Sequence, residues 1–280
     1  MKKVINESNE IDIYVGSNGL YFDPENKNLS YLSSIAASDL TGLEEELSKK
    51  KASQIILGKN YDCYPAIEAD NNYVRDVLVL IDKYKHGVTI YTKSKLILRD
   101  LDLLKSISTH SKVVVMLQMN TTNEVDSQNI NGVSFVDKLK ILEEIKSYDI
   151  EIGFNVCPIL PYISDDINNM DELISLAIKY NATYFLYRGA AVIINNKYKE
   201  AVYHVLDDHY FGLRSKYDAI RQESYVIESP KINMLENYIK DLVSGSNMVY
   251  VPHEVIKKAH SYQRKHKQMS IFDVENVENT

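Results

Sequence analysis

The 280-residue chain has two cysteines, no tryptophan and no long apolar run, and each shortage removes a class of protein. Cys63 and Cys157 lie far apart and form no C-x-x-C or C-x3-C-x2-C spacing, so neither a zinc ribbon nor a conventional iron–sulfur site can be assembled from them. No stretch approaches the roughly 18 apolar residues that span a bilayer, and the opening MKKVINESNEID has no apolar core of a secretion signal. The expectation is a cytoplasmic protein without a membrane segment, in which a disulfide has no place. The formal net charge of -7 argues against a protein coated by nucleic acid over its whole surface, since phosphate binding needs a basic face. Twenty-one tyrosines with no tryptophan read as an AT-rich coding bias rather than an aromatic binding surface.

What is present is a globular composition, 45% hydrophobic, and a repeating β-then-α rhythm. Candidate strands are 11–16, 54–58, 88–92, 113–119, 150–157 and 183–188. Helical periodicity lies near 43–50, 72–84, 98–107, 135–148 and 170–180, the last introduced by the cap-like Asn168 and Asn169. Near-continuous apolar strands such as VVVML fit parallel strands covered by helices. A dinucleotide-binding sheet would want G-x-G-x-x-G after its first strand, and GSNGL does not supply it. The expected fold class is therefore α/β, a partial (β/α)6 TIM-like barrel with a helical C-terminal extension. Residues 1–197 form the barrel, 198–256 a helical extension led by LDDHYFGLRSKYDAI and NMLENYIKDLV, and 257–280 a basic segment and tail.

In such a fold the loops after the strands converge on one mouth. Asp62 and Glu68 are candidates for a general acid/base pair there; equally, Asp62 caps a turn and Glu68 starts the next helix near its favourable N-terminus. Cys63 is either a reactive thiol or a small buried hydrophobe. Lys93 either holds an anion or pairs with Asp100 or Asp102, and Arg188 faces either the mouth or solvent. The prolines of PILP at 158–161 shape the chain as it leaves the sheet.

Four blocks in order carry a resemblance. LGKNYDCYPAIE at 57–68 stands where a G-S-M-S-D-P-Y-N-P-L-E type segment occurs in one family, followed by GVTIYTKSKLILRDLDLLKSI at 87–107, GFNVCPILPYISDD at 153–166 and the ending KQMSIFD. The chain thereby resembles the radical S-adenosylmethionine superfamily, in the branch similar to spore photoproduct lyase, over nearly its whole length. The resemblance implies a barrel of the radical S-adenosylmethionine type. It also implies a first loop that reads Y-R-G-C-x-H-G-C-x-Y-C-D and holds a [4Fe-4S] cluster through three thiolates. Here that loop reads YVGSNGLYFD, with Ser17, Leu20 and Phe22 at the thiol positions, so no metal site is expected and ordinary cluster chemistry is not.

For the S-adenosylmethionine pocket the resemblance implies Gly58, Asp62, Tyr64, Lys93 and Ser94, with Lys138 where the family has an arginine. Cys63 replaces the family's proline, and MLQMNTT at 116–122 departs from its I-T-I-T-T. The function expected is that of a cluster-less relative with a binding or regulatory role linked to DNA repair. One alternative is a cluster-independent enzyme or S-adenosylmethionine-binding protein using the same mouth. A third expectation concerns the locally basic stretch KKAHSYQRKHK and the tail. Gln268, Ile271 and Phe272 form a Q-x-x-[LI]-F pattern similar to the peptide that docks on the bacterial replication sliding clamp, so residues 257–273 are a candidate contact for that clamp or for DNA.

Overall fold

The computed structural model describes residues 9–11, 14–15, 33–34, 37–59, 62–193, 199–221 and 226–265. Ser17, Leu20 and Phe22, and Gln268, Ile271 and Phe272, lie outside the described residues.

Six parallel strands form the main sheet: β1 (Glu10–Ile11), β4 (Gln54–Leu57), β5 (Gly87–Thr92), β6 (Val113–Gln118), β7 (Glu151–Val156) and β8 (Tyr184–Tyr187). Their order across the sheet is their order along the chain, each pairing with the next. Five of the six expected strands appear where their apolar runs place them. The first is divided: β1 joins the sheet at Glu10–Ile11, while β2 (Tyr14–Val15) pairs antiparallel with β3 (Ser33–Ser34). The apolar alternation cannot tell one strand from two short ones with different partners.

Helices follow the strands. They are α1 (Ala37–Lys49), α2 (Glu68–Asn71), α3 (Tyr73–Lys83), α4 (Leu101–Ser108), α5 (Glu124–Asn131), α6 (Phe135–Ile145) and α7 (Ile167–Lys179), with a 3-10 helix at Lys95–Asp100 leading into α4. The expected cap at Asn168 and Asn169 is corrected. Asp166 is the N-cap of α7, its carboxylate accepting from the Asn169 N–H at 3.0 Å, and both asparagines sit inside the first turn. A carboxylate ahead of the first turn fits the unpaired N–H groups and the helix dipole better than an amide.

The two faces of the sheet are covered unequally. Ile55, Leu57, Val88, Ile90, Val115, Leu117, Phe154 and Phe185 pack against Leu43 and Leu47 of α1, Val77 and Ile81 of α3, Ile107 of α4, Ile141 of α6 and Leu173 of α7 in one large core. The alternate residues, Ile56, Val114, Met116, Tyr184 and Leu186, point the other way. They meet Val255 and Ala259 of a single helix, α11 (Pro252–Ala259). α10 (Ile232–Ser244) packs outside, beside α7.

Past residue 197 the chain is not purely helical. α8 (Lys199–His209) and α9 (Leu213–Arg221), broken at Gly212, share a small separate core with an antiparallel pair of strands that flanks them in the chain, β9 (Ala191–Ile193) and β10 (Val226–Glu228). That unit lies over the PILP loop, where the Tyr217 hydroxyl donates to the Pro161 carbonyl at 3.0 Å. The inner face is therefore closed by α11, not by the α8–α9 segment. Among the described residues no helix is long and apolar enough to cross a membrane.

Candidate functional site

Gly58, Asp62, Cys63, Tyr64, Lys93 and Ser94 gather at the C-terminal ends of β4 and β5. Chain direction changes after Leu57 through Gly58, at φ +75; a β-carbon there would stand 2.2 Å from the Tyr91 carbonyl oxygen and 3.2 Å from Cys63 Sγ, so only glycine lets the turn lie against β5. The loop is then fastened by Asp62. Its Oδ1 accepts from the Tyr64 N–H at 2.9 Å and from Thr92 Oγ1 at 2.8 Å, and its Oδ2 accepts from the Lys93 N–H at 2.9 Å. Ser94 begins the 3-10 helix, its hydroxyl accepting from the Leu96 N–H at 3.2 Å.

Cys63 is 1% exposed, and burial pushes its thiol well above the ordinary cysteine range, with the Asp62 charge adding to the effect. It is held as a neutral thiol, which is neither a nucleophile nor an iron ligand. Tyr64 is buried too, donating its hydroxyl to Asp100 Oδ2 at 3.2 Å, and burial raises its pKa well above the normal phenol value.

Glu68 begins α2, as the helix-start reading expected, yet its carboxylate serves the next helix. Oε2 accepts from the Tyr73 N–H at 3.1 Å and Oε1 from the Val74 N–H at 3.0 Å, capping α3. Arg99 Nη2 closes on Glu68 Oε1 at 2.7 Å while gripping Asp100 through Nε at 2.9 Å and Nη2 at 2.8 Å. Arg75 spans Asp100 at 3.2 Å and Asp102 at 2.7 Å, and its hydrogen bonds hold the Asp102 carboxyl at about 2. Asp100 and Asp102 are thus held by guanidiniums. These oxygens are occupied by donors of the scaffold, so Asp62 and Glu68 act here as clamps.

Lys138 is different. It lies on α6, which Lys95 ties to the 3-10 helix through a 2.9 Å bridge to Asp137, and its side chain is fully buried. Among the described residues its Nζ has no hydrogen-bond partner. Burial, and then the nearby Lys93 charge, lower its pKa to about 7; Glu124 opposes the shift. Lys138 shares the buried stripe of α6 with Ile141, Leu142 and Ile145, so helical spacing alone carries the signal that this lysine points inward.

Further round the mouth, sequence reasoning missed a chain of amides. Asn131 Nδ2 donates to Asn120 Oδ1 at 2.8 Å, and Asn169 Nδ2 donates to the carbonyls of Asn120 at 3.1 Å and Ser164 at 2.8 Å. Gln118 Nε2 reaches the Cys157 carbonyl at 2.9 Å, just before the cis Cys157–Pro158 bond. Buried Asp165 accepts from the Tyr162 N–H at 2.8 Å and from Ser229 Oγ at 2.5 Å, and Lys231 Nζ stands 3.8 Å from it. Tyr187 ends β8 with its hydroxyl buried and, among the described residues, unpartnered; Arg188 beyond it is exposed. A hollow of about 570 Å³ lined by Ala177, Asn181, Thr183, Leu242, Ser246 and Met248 opens at the opposite end of the sheet and shares no residue with this mouth.

No family model matches the chain, and no solved structure matches it. An uncharacterized protein of Methanocaldococcus jannaschii is 26% identical over 211 residues, which covers 72% of this chain and 71% of that protein. The likeness extends over most of both chains and brings no activity with it.

A [4Fe-4S] cluster does not fit the residues present. Leucine and phenylalanine donate nothing to iron, Cys63 is sealed as a neutral thiol, and Cys157 sits at the end of a different strand. Among the described residues, no three histidine, cysteine, aspartate or glutamate side chains come together as a metal set.

Proposed function

We propose that the chain is a cluster-less protein of the radical S-adenosylmethionine fold, in the spore photoproduct lyase-like branch, with a binding or regulatory role in DNA maintenance. The parallel sheet whose strand order follows the chain, with α1, α3, α4, α6 and α7 on one face, suits a partial (β/α)6 barrel and supports that reading. The observation that carries it is the fate of the D-x-Y loop: Asp62 and Tyr64 are present, and every polar atom of their side chains is engaged in fastening β4, β5 and the Arg99 network. The scaffold of the family is retained while the thiols that would drive its chemistry are absent. Anaerobic reconstitution with iron and sulfide tests this. Purified protein should remain colourless after desalting, and a stable cluster at one per chain overturns the reading.

A second reading keeps the ligand and drops the iron. Gly58, Asp62, Tyr64, Lys93, Ser94 and Lys138 would line a mouth for S-adenosylmethionine, and the observation in its favour is the unpartnered Lys138 amine beside the Lys93 charge, which suits a carboxylate. Calorimetry with that ligand decides: saturable heat supports it, and none at millimolar ligand removes it.

Contact with a sliding clamp or DNA through residues 257–273 is a third reading. Its described part, up to Lys265, is pinned where β6 and β7 begin: the Lys112 N–H donates to the Gln263 carbonyl and the Lys265 N–H to the His110 carbonyl, each at 2.9 Å. The chain beyond Lys265 therefore starts from the end of the sheet opposite the mouth. Loss of clamp binding in Phe272→Ala supports this reading, and unchanged binding ends it.

A further inference from the structure

The hollow of about 570 Å³ lies where α7 and α10 both end, ahead of β8. Its lining is largely apolar. Ala177, Ala182 and Met248 are buried there, while Ile178 is 53% and Leu242 39% exposed, so two aliphatic side chains of one hollow are left facing water. Asn181, Thr183 and Ser246 add polar groups among them. An apolar hollow of this size with a few polar groups suits the side chains of a short peptide.

The segment that follows α11 leads to it. This segment crosses the foot of the sheet: the Lys112 N–H donates to the Gln263 carbonyl, Arg264 bridges to Ser111, and the Lys265 N–H donates to the His110 carbonyl. The Lys265 amine then meets Asp149, between α6 and β7, at 2.9 Å from its carbonyl oxygen and 2.5 Å from its carboxylate. β7 is the hydrogen-bonded neighbour of β8, and the Thr183 N–H, in the lining of the hollow, donates to the Ile152 carbonyl of β7 at 2.7 Å. The ends of α6 and α7 also touch there, the Tyr180 hydroxyl donating to Glu143 Oε1 at 2.7 Å and the Lys146 amine lying 5.8 Å from the Tyr180 ring. The chain at Lys265 is thus one strand away from the hollow and on the side where the helices end.

What comes next in the sequence is apolar within reach. Met269, Ile271 and Phe272 stand four, six and seven residues beyond Lys265. An extended chain advances about 3.3 Å per residue, so these side chains reach roughly 13 to 23 Å, against about 5 Å between neighbouring strands. We infer that residues 268–272 of this same chain dock in the hollow, with Ile271 and Phe272 against Ile178, Leu242 and Met248. The tether favours the chain's own tail over that of a second copy, since a short connection holds it at an effective concentration of about millimolar. Docking there would shield the Q-x-x-[LI]-F side chains, and any partner that takes Ile271 and Phe272 has to draw them out of the hollow first. Such docking needs no clamp, and the contact with a clamp or DNA does not need it.

Two measurements on the purified full-length protein test this, and both are required. Hydrogen exchange is compared between wild type and Phe272→Asp. Exchange in residues 177–183 and 242–248 should quicken at least about fivefold in the variant while the strands stay as protected as before. Unchanged exchange in those two segments overturns the inference. A photoreactive p-benzoylphenylalanine incorporated at position 272 then shows whose tail is bound. On illumination at low micromolar protein it should link to residues 177–183 or 242–248 within a single chain, and Leu242→Asp, at a half-exposed position that tolerates the change, should cut that yield at least about tenfold. Links between two chains, links elsewhere or none overturn the inference. The clamp reading has its own readout. A tail that links to the hollow while Phe272→Ala leaves clamp binding unchanged ends that reading alone, and loss of clamp binding without a link ends this inference alone.

Discussion

Two lysines are buried at opposite ends of the same sheet, and the sheet treats them in opposite ways. Lys112 enters at the start of β6 and finds a carbonyl and a hydroxyl waiting on the segment around the end of α11; Lys138 sits over the strand ends at the mouth and, among the described residues, finds nothing. Burial lowers both pKa values. The difference lies in what the amine does with its protons: at the closed end they fasten the last helix to the sheet, and at the open end they are left to be lost. The same contrast holds for carboxylates and phenols. Glu68 is saturated by two backbone N–H groups and a guanidinium, whereas the Tyr187 hydroxyl at the end of β8 has no partner among the described residues. Glu68 and Lys112 hold the fold and are satisfied; Lys138 and Tyr187, among the described residues, are not.

Breaking the satisfied side should cost most. Glu68→Ala leaves Arg99 without one of its buried partners and removes the cap of α3, and chemical denaturation should register a loss of about 3–5 kcal/mol. The orphan amine should reveal itself through pH. Above about pH 7 the folded Lys138 has released its proton while the unfolded one keeps it up to its ordinary value near 10.4, so the unfolded state binds more protons and stability rises with pH across that window. Lys138 should contribute on the order of 4 kcal/mol to that rise between those limits, read as the difference between the pH dependence of wild type and that of Lys138→Met, since the buried Cys63 thiol acts in the opposite sense in both proteins; two identical slopes would contradict the burial of a neutral amine. Lys112→Ala should cost about 2 kcal/mol by undoing two charge-assisted hydrogen bonds, with the amides of residues 258–265 losing protection from hydrogen exchange first. Least affected should be Tyr187→Phe, within about 1 kcal/mol of wild type in thermal melts, since the hydroxyl it removes makes no bond to the described residues.

Much of the scaffold was legible in the sequence because burial on both faces leaves a plain mark: VVVMLQ is almost wholly apolar and is β6, fully buried. Boundaries were not. The split of the first strand depends on Ser33–Ser34, a partner some twenty residues away, and no local pattern announces it. Choosing Asp166 over Asn168 as a cap required backbone angles. Among the site residues, the gathering of Gly58, Asp62, Tyr64, Lys93 and Ser94 followed from strand-end logic. Their employment did not, since whether Asp62 faces a substrate or the Lys93 N–H is settled by a hydrogen of the backbone that nearly every residue carries. The amide chain of Asn120, Asn131 and Asn169 was not legible as a chain, because asparagine in a loop or at a helix end reads as turn or cap chemistry, as Asn169 did, whether or not its amide is buried.

The position of α11 has a consequence for how the chain is made. The inner side of the sheet, with Ile56, Val114, Met116 and Leu186, is covered by residues that leave the ribosome long after the strands themselves. Throughout that interval a nascent chain carries a greasy surface without the helix that covers it, and the hydrogen bond from Thr89 Oγ1 to the Ala259 carbonyl, 2.6 Å long and 170 residues apart, is among the last to form. A truncation that removes α11 should therefore yield a protein that builds its strands and helices normally and then clumps.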